Sequence, residues 1–249
     1  MTDFSHLLNW RLLSGSHEFP GPNGGTCINE AAIVAAGFAY CSVNNAEDCP
    51  PCFSRPIASY AIGLNDRMPD ELRQELLIPF VTRLAGTADT PEIERSRVHL
   101  VAVRTVTDIL TIMLRELNET ELVEMCRAAT TVAEARSIAS AVYTHMKKNA
   151  YDHATAADRS AAAAHAAASA HVAIVHATDY AAHATAYAIN STAYVVNYTR
   201  RREIKKETWQ AAVSILDAAI KAGKHGDDLD HQLVCARMEK VKRVASVTG

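Results

Sequence analysis

Two groups of residues in this 249-residue chain have types and spacings suited to chemistry. The first is Cys49-Pro-Pro-Cys52, whose C-x-x-C spacing lets two thiolates grip one tetrahedral metal. His17 and Cys27 lie in or beside a Gly/Pro-rich loop, so His17, Cys27, Cys49 and Cys52 form a candidate Cys₃His zinc site that would clip two loops together. A strong zinc signature has a second paired motif, and here the other two ligands are single. Small buried thiols in a loop stiffened by proline are the plainer alternative. A redox pair fits less well, because that chemistry sits where a strand leads into the helix of a βαβ unit.

Cys27 has a second reading. It follows Gly24-Gly25-Thr26 at an expected helix start, where the helix dipole lowers a thiol pKa and backbone N–H groups can hold an oxyanion. His17 is then the candidate base, and Glu30 or Asp66 the acid that orients it.

The second group is a repeat in an alanine-rich stretch. His176-Ala-Thr178-Asp-Tyr180, His183-Ala-Thr185-Ala-Tyr187 and Asn190-Ser-Thr192-Ala-Tyr194 share one seven-residue template, and Asn197-Tyr-Thr199 begins a fourth. On one continuous helix, His176, Tyr180, His183, Tyr187, Asn190, Tyr194 and Asn197 fall along a single seam. Such a seam suits a protein interface, because tyrosine joins contact area to a polar tip. It also suits a stacking platform for bases, with Arg200, Arg201, Arg202, Lys205 and Lys206 beside it. The bland alternatives are a low-complexity helix with its tips in solvent and a basic cluster that is a solvated helix end. Histidines 145, 153, 165 and 171 do not share an H-x-x-x-H face, which argues against a helical metal site. The Gly-Pro-Asn-Gly-Gly run lacks the Gly-Lys-Ser/Thr ending of a phosphate loop.

The elements that must position these residues read as helices. Residues 14–26 and 42–56 are loop-like in composition; between them Thr26 is the expected cap of a helix running from Cys27 to about Ala36, ended by Gly37. A helix from about Pro56 to Leu64 follows. Pro69-Asp70-Glu71 opens another, carrying Leu72, Leu76, Phe80 and Leu84, with Pro79 as a kink and Gly86 as its end. Thr90-Pro91-Glu92 starts a helix whose buried stripe runs from Val98 to Leu117. Asn118-x-x-Glu121 and Thr131-x-x-Glu134 read as capping boxes. Residues 150–199 hold 20 alanines, and the expected long alanine-rich helix is broken once or twice between 150 and 222. Trp209, Val213, Leu216 and Ile220 mark a later helix closed by Gly223, and Asp227 opens a last one. No convincing alternating strand is visible. The expected fold is all-α: a loop-rich front (1–68) packed on a helical body (69–249).

Composition bounds the function. There are 25 basic and 28 acidic residues, a formal net charge of −3, which disfavours both a general polyanion binder and an acidic DNA mimic. The 49% hydrophobic content is too high for disorder. Residues 1–30 lack a basic n-region followed by an apolar run, and the weakly polar run from Ala161 to Val175 is interrupted by His165 and His171. The expectation is a cytoplasmic protein without a membrane segment, its thiols reduced or metal-bound.

The stretches Gly15-Ser16-His17, Gly25-Thr26-Cys27-Ile28-Asn29-Glu30-Ala31, Cys52-Phe53-Ser54-Arg55-Pro56 and Leu64-Asn65-Asp66-Arg67-Met68-Pro69 resemble a family of uncharacterised bacterial and phage proteins. The late Arg237-Met238-Glu239 is similar as well. The resemblance implies no activity, cofactor or partner; it implies only that His17, Cys27, Glu30, Cys52, Asn65 and Asp66 belong together. The leading expectation is a non-enzymatic protein that self-associates or binds another protein through the Tyr/His/Asn seam. The alternatives are a metal-dependent or thiol-based small enzyme centred on His17, Cys27 and Cys52, and a phage-associated protein that binds a nucleotide.

Overall fold

A computed structural model describes residues 11–17, 25–152, 157–176, 181–198, 202–223, 232 and 236–237. The described residues are overwhelmingly helical, as the sequence predicts. The chain divides into two compact units, residues 1–94 with 220–249, and residues 95–219.

In the first unit, Arg11–Leu12 (β1) and Gly25–Thr26 (β2) form a two-residue parallel ladder, too short to leave an alternating pattern. Helix α1 (Ile28–Ala35) is buried along its whole length. Its cap is Cys27, not Thr26: the Cys27 sulfur accepts the Glu30 N–H at 3.4 Å while the Glu30 carboxylate accepts the Cys27 N–H at 2.7 Å. Helix α2 (Arg55–Arg67) starts one residue before Pro56, capped by Ser54. Helix α3 (Asp70–Leu77) gives way at Pro79 to a 3₁₀ turn, Ile78–Phe80, because proline supplies no N–H for the α ladder. Arg73, 3% exposed, donates to the carbonyls of Asn65, Met68 and Leu12 and so staples α3 to β1 and the end of α2.

Helix α4 (Pro91–Arg104) runs into a π turn, Thr105–Leu110, and then α5 (Thr111–Glu116). Within the second unit this π turn packs against α5, α6 (Thr120–Arg127), α7 (Val132–Asp152), α8 (Ala157–His176) and α9 (Ala181–Tyr198). Thr105, Val106, Ile109 and Leu110 are the buried side chains it supplies. The Asn118 capping box does not form. Asn118 adopts φ +59, Glu119 takes the cap position without a side-chain bond, and the helix starts at Thr120. The Thr131 box does form: Glu134 N–H reaches Thr131 Oγ1 at 3.2 Å, and Thr131 N–H reaches the Glu134 carboxylate at 3.0 Å.

Alanine does the packing in α8. Ala163, Ala166, Ala167, Ala170 and Ala173 are at most 1% exposed, so neighbouring backbones approach closely. Ser191 Oγ donates to the Ala166 carbonyl at 3.0 Å, and the rings of His165 and Tyr194 stack at 5.4 Å. The paired numbers rise on one helix as they fall on the other, so α8 and α9 are antiparallel neighbours. His171 against Arg136 relates α8 to α7 in the same sense. Helix α10 (Arg202–Lys221) buries Trp209, Val213, Leu216 and Ile220, as its spacing predicts.

Candidate functional site

In the front, a fully buried Glu30 carboxylate gathers the loops. It accepts N–H bonds from His17 and Val43 at 3.0 Å each and from Cys27 at 2.7 Å, and the Thr26 hydroxyl donates at 3.2 Å. The His17 ring nitrogen Nδ1 lies 3.4 Å from it. Tyr40 and Ser42 donate to the His17 carbonyl at 2.6 and 2.7 Å. Burial works to raise the Glu30 pKa, but the N–H groups of Cys27, His17 and Val43 and the His17 charge together bring it below the usual value. Asn65 accepts the Ile28 N–H at 3.3 Å and donates to the Leu13 carbonyl at 2.7 Å, while Asp66 accepts the Gly15 N–H at 2.8 Å. Five of the six residues singled out by the resemblance therefore share one neighbourhood.

Cys52, the sixth, accepts the Ala88 N–H on its carbonyl at 3.0 Å. It neighbours Cys49, which is 3% exposed and pushed up to about 12 by burial, with Cys41, Asp48 and Cys52 adding to the effect. The candidate zinc set His17, Cys27, Cys49 and Cys52 is thus split, with Cys27 beside Glu30 and Cys49 beside Cys41 and Cys52. Among the described residues no group of three or more His, Cys, Asp or Glu is disposed to hold a metal.

The expected lowering of the Cys27 thiol is reversed. Burial and then the Glu30 charge push it well above its usual value, outweighing the N–H groups at the helix start. A catalytic cysteine needs a cationic, partly exposed setting. Here the sulfur is 2% exposed, an anion sits beside it, and the His17 imidazole engages Glu30. The cluster is a carboxylate latch for loops.

The polar seam does not run along one helix. His176 ends α8, whereas His183, Tyr187, Asn190, Tyr194 and Asn197 belong to α9; Tyr180 lies outside the described residues. On α9 the buried face is Ala188, Ser191, Thr192 and Val195, which leaves Tyr187, Asn190 and Tyr194 half-buried at its margin and Asn197 exposed. Of the basic cluster, Arg200 and Arg201 lie outside the described residues. Arg202 is exposed, and Lys205 and Lys206 are half-buried at the start of α10.

Sequence reasoning missed a groove in the second unit. A cavity of about 1110 Å³ opens along α7 and is closed by His99 of α4 and His171 of α8. Arg136, Lys148 and His145 line it from α7, with Ser137, Ser140 and Thr144 between them; none of its described lining residues is acidic, and His145 Nε2 lies 3.2 Å from the Glu119 carboxylate. His99 Nε2 is buried without a hydrogen-bond partner, and desolvation followed by the Arg95 charge lowers the His99 pKa. His171 Nδ1 lies 3.3 Å from the Arg136 carbonyl, which leaves Nε2 as the nitrogen available to a ligand. A second cavity of about 620 Å³ shares His99, Val132 and Ala133 with the first. No sequence motif announces this site, because its walls come from three helices whose spacing in the chain is set only by how α7 and α8 pair.

No family model, curated protein or solved structure matches the chain. Among the described residues no helix is long and apolar enough to cross a membrane.

Proposed function

We propose that this chain is a non-enzymatic binding protein and that the α7 groove is its ligand seat, the ligand being a small organic anion. The observation that carries this reading is that Arg136, Lys148, His99 and His171 line one open cavity with no carboxylate among its described lining residues, the third imidazole, His145, being engaged by Glu119 at 3.2 Å. The cavity is the size of a small-molecule site, with apolar walls at Val132, Ala133 and Ala141 and a few polar groups to orient a guest. The burial of Cys27 beside the Glu30 carboxylate counts against the thiol-based alternative.

Thermal melting against phosphorylated nucleosides and sugars tests it. Saturating ligand should raise Tm by several degrees, as binding to the folded state alone requires. Ala141→Trp, which fills the exposed groove wall, should abolish the rise while leaving the unliganded Tm nearly unchanged. No rise with any anion, or an equal rise in Ala141→Trp, overturns the reading.

Self-association through the α9 face is the second reading, favoured by four polar side chains that share one partly exposed face, Tyr187, Asn190, Tyr194 and Asn197. Tyr187→Ala combined with Asn197→Ala should then lower the mass found by sedimentation. A monomer in both proteins removes it.

A further inference from the structure

We infer that the α7 groove takes a nucleotide-class ligand carrying phosphates at two separated positions. The inference rests on the groove being a ligand seat, as proposed above. Its two cations stand apart. Arg136 and Lys148 are twelve positions apart on one helix, which separates their Cα atoms by about 18 Å, a span that their long side chains shorten when they lean inward.

These two cations differ from the basic residues around them. Arg104 is paired with Asp108 at 2.6 Å, Arg115 with Glu207 at 2.7 Å and Arg127 with Glu124 at 3.0 Å, and the Lys147 ammonium sits over the Tyr143 ring. Neither Arg136 nor Lys148 is engaged by a carboxylate among the described residues, and both are exposed. Two positive charges without a carboxylate partner among the described residues, at the two ends of a cavity whose described lining holds no acid and whose His145 is already engaged by Glu119, call for negative charge at both ends. A single phosphate would answer one and leave most of a cavity of about 1110 Å³ to water.

What lies between the cations suits a nucleoside body. Ser137 and Ser140 present hydroxyls for sugar oxygens, while the apolar walls and the His99 and His171 rings offer faces on which a base can stack. His171 Nε2 supplies a polar contact for a base edge. Arginine binds phosphate by a planar fork and lysine as a point charge, so each end can hold a phosphate alone.

Calorimetric titration of the full chain tests the inference with four probes: 5′-phosphorylated diadenylate, AMP, inorganic phosphate and hexaglutamate. The diadenylate should bind at least about tenfold more tightly than AMP, and Arg136→Ala and Lys148→Ala should each weaken it by about fivefold or more. Both residues are exposed, so unchanged circular dichroism should accompany the loss. Two phosphate contacts on a single strand give a slope of log affinity against log salt of about −1.4. AMP binding as tightly as the diadenylate, with only one of the two cations mattering, overturns the two-phosphate ligand and leaves the groove as an anion seat. Diadenylate binding that persists unchanged in both variants and in Ala141→Trp overturns the groove itself. Hexaglutamate binding more tightly than the diadenylate overturns the nucleotide class.

Discussion

Arg237 Nη1 donates to the main-chain carbonyl of Ala35 at 2.7 Å, across 202 positions of sequence. Helix α1 has no basic residue in its last turn, so a residue near the other end of the chain caps its carbonyl end. Gly37 makes room for it: φ there is +91, and a Cβ would come within 2.9 Å of the guanidinium carbon. Arg237→Ala should cost about 1.5–3 kcal/mol, the range for a hydrogen bond to a charged group, read as a lower urea midpoint. An unchanged midpoint would show that the contact contributes nothing.

Glu30→Gln should be far more damaging. The carboxylate only accepts, whereas an amide turns a donor toward the N–H groups of His17, Cys27 and Val43. The loss should be about 3 kcal/mol or more.

The pH dependence of folding follows from the same group. The folded pKa of Glu30 lies below the usual 4.5, so its stabilisation is complete above that value. It is lost as pH falls from about 4.5 through the lower folded value. Urea midpoints measured between neutral and acid pH should therefore drop below pH 4.5 in the native protein, and drop less in Glu30→Gln. Parallel curves would assign the acid limb to other carboxylates.

Thiol reactivity should sort by burial. Cys27 is buried, and burial and the Glu30 charge raise its thiol well above the usual value, while burial pushes Cys49 and Cys126 each up to about 12; Cys41 is exposed, though burial and Asp48 also raise it. Under native conditions at pH 8, iodoacetamide should label Cys41 well before Cys27, Cys49 or Cys126, as peptide mass spectrometry would report. Rapid labelling of Cys27 would restore the thiol-enzyme reading.

Ala170→Leu should destabilise the second unit by about 1–3 kcal/mol, because α8 has no room for added methylenes. A neutral result in urea unfolding would mean that the helix pair can part without cost.

Helix existence was legible wherever a breaker and an apolar stripe agreed, as at Pro79 and the Trp209–Ile220 face, but the helix expected to run on to Gly86 ends at Leu77, with a 3₁₀ turn to Phe80 and turns from there to Gly86. Caps were less legible. Thr26 and Cys27 both precede α1, and the choice fell to Cys27 because Glu30, three residues on, reaches its N–H. Asn118 matched a capping box in spelling, yet its positive φ makes it the turn residue that ends α5. The seven-residue repeat predicted one seam, but alanine favours any helix equally and says nothing of where the chain reverses. The groove was illegible for a related reason: His99, His145 and His171 are 46 and 26 positions apart, and only tertiary packing makes them neighbours.

The Glu30 latch grips main-chain N–H groups at three of its contacts, and every non-proline residue carries that donor. The loops it holds are therefore free to drift in side-chain identity over evolution while keeping their path, provided that proline stays out of positions 17, 27 and 43. The acid itself has no such latitude. One acid can thus anchor a front whose path does not depend on its outer side chains.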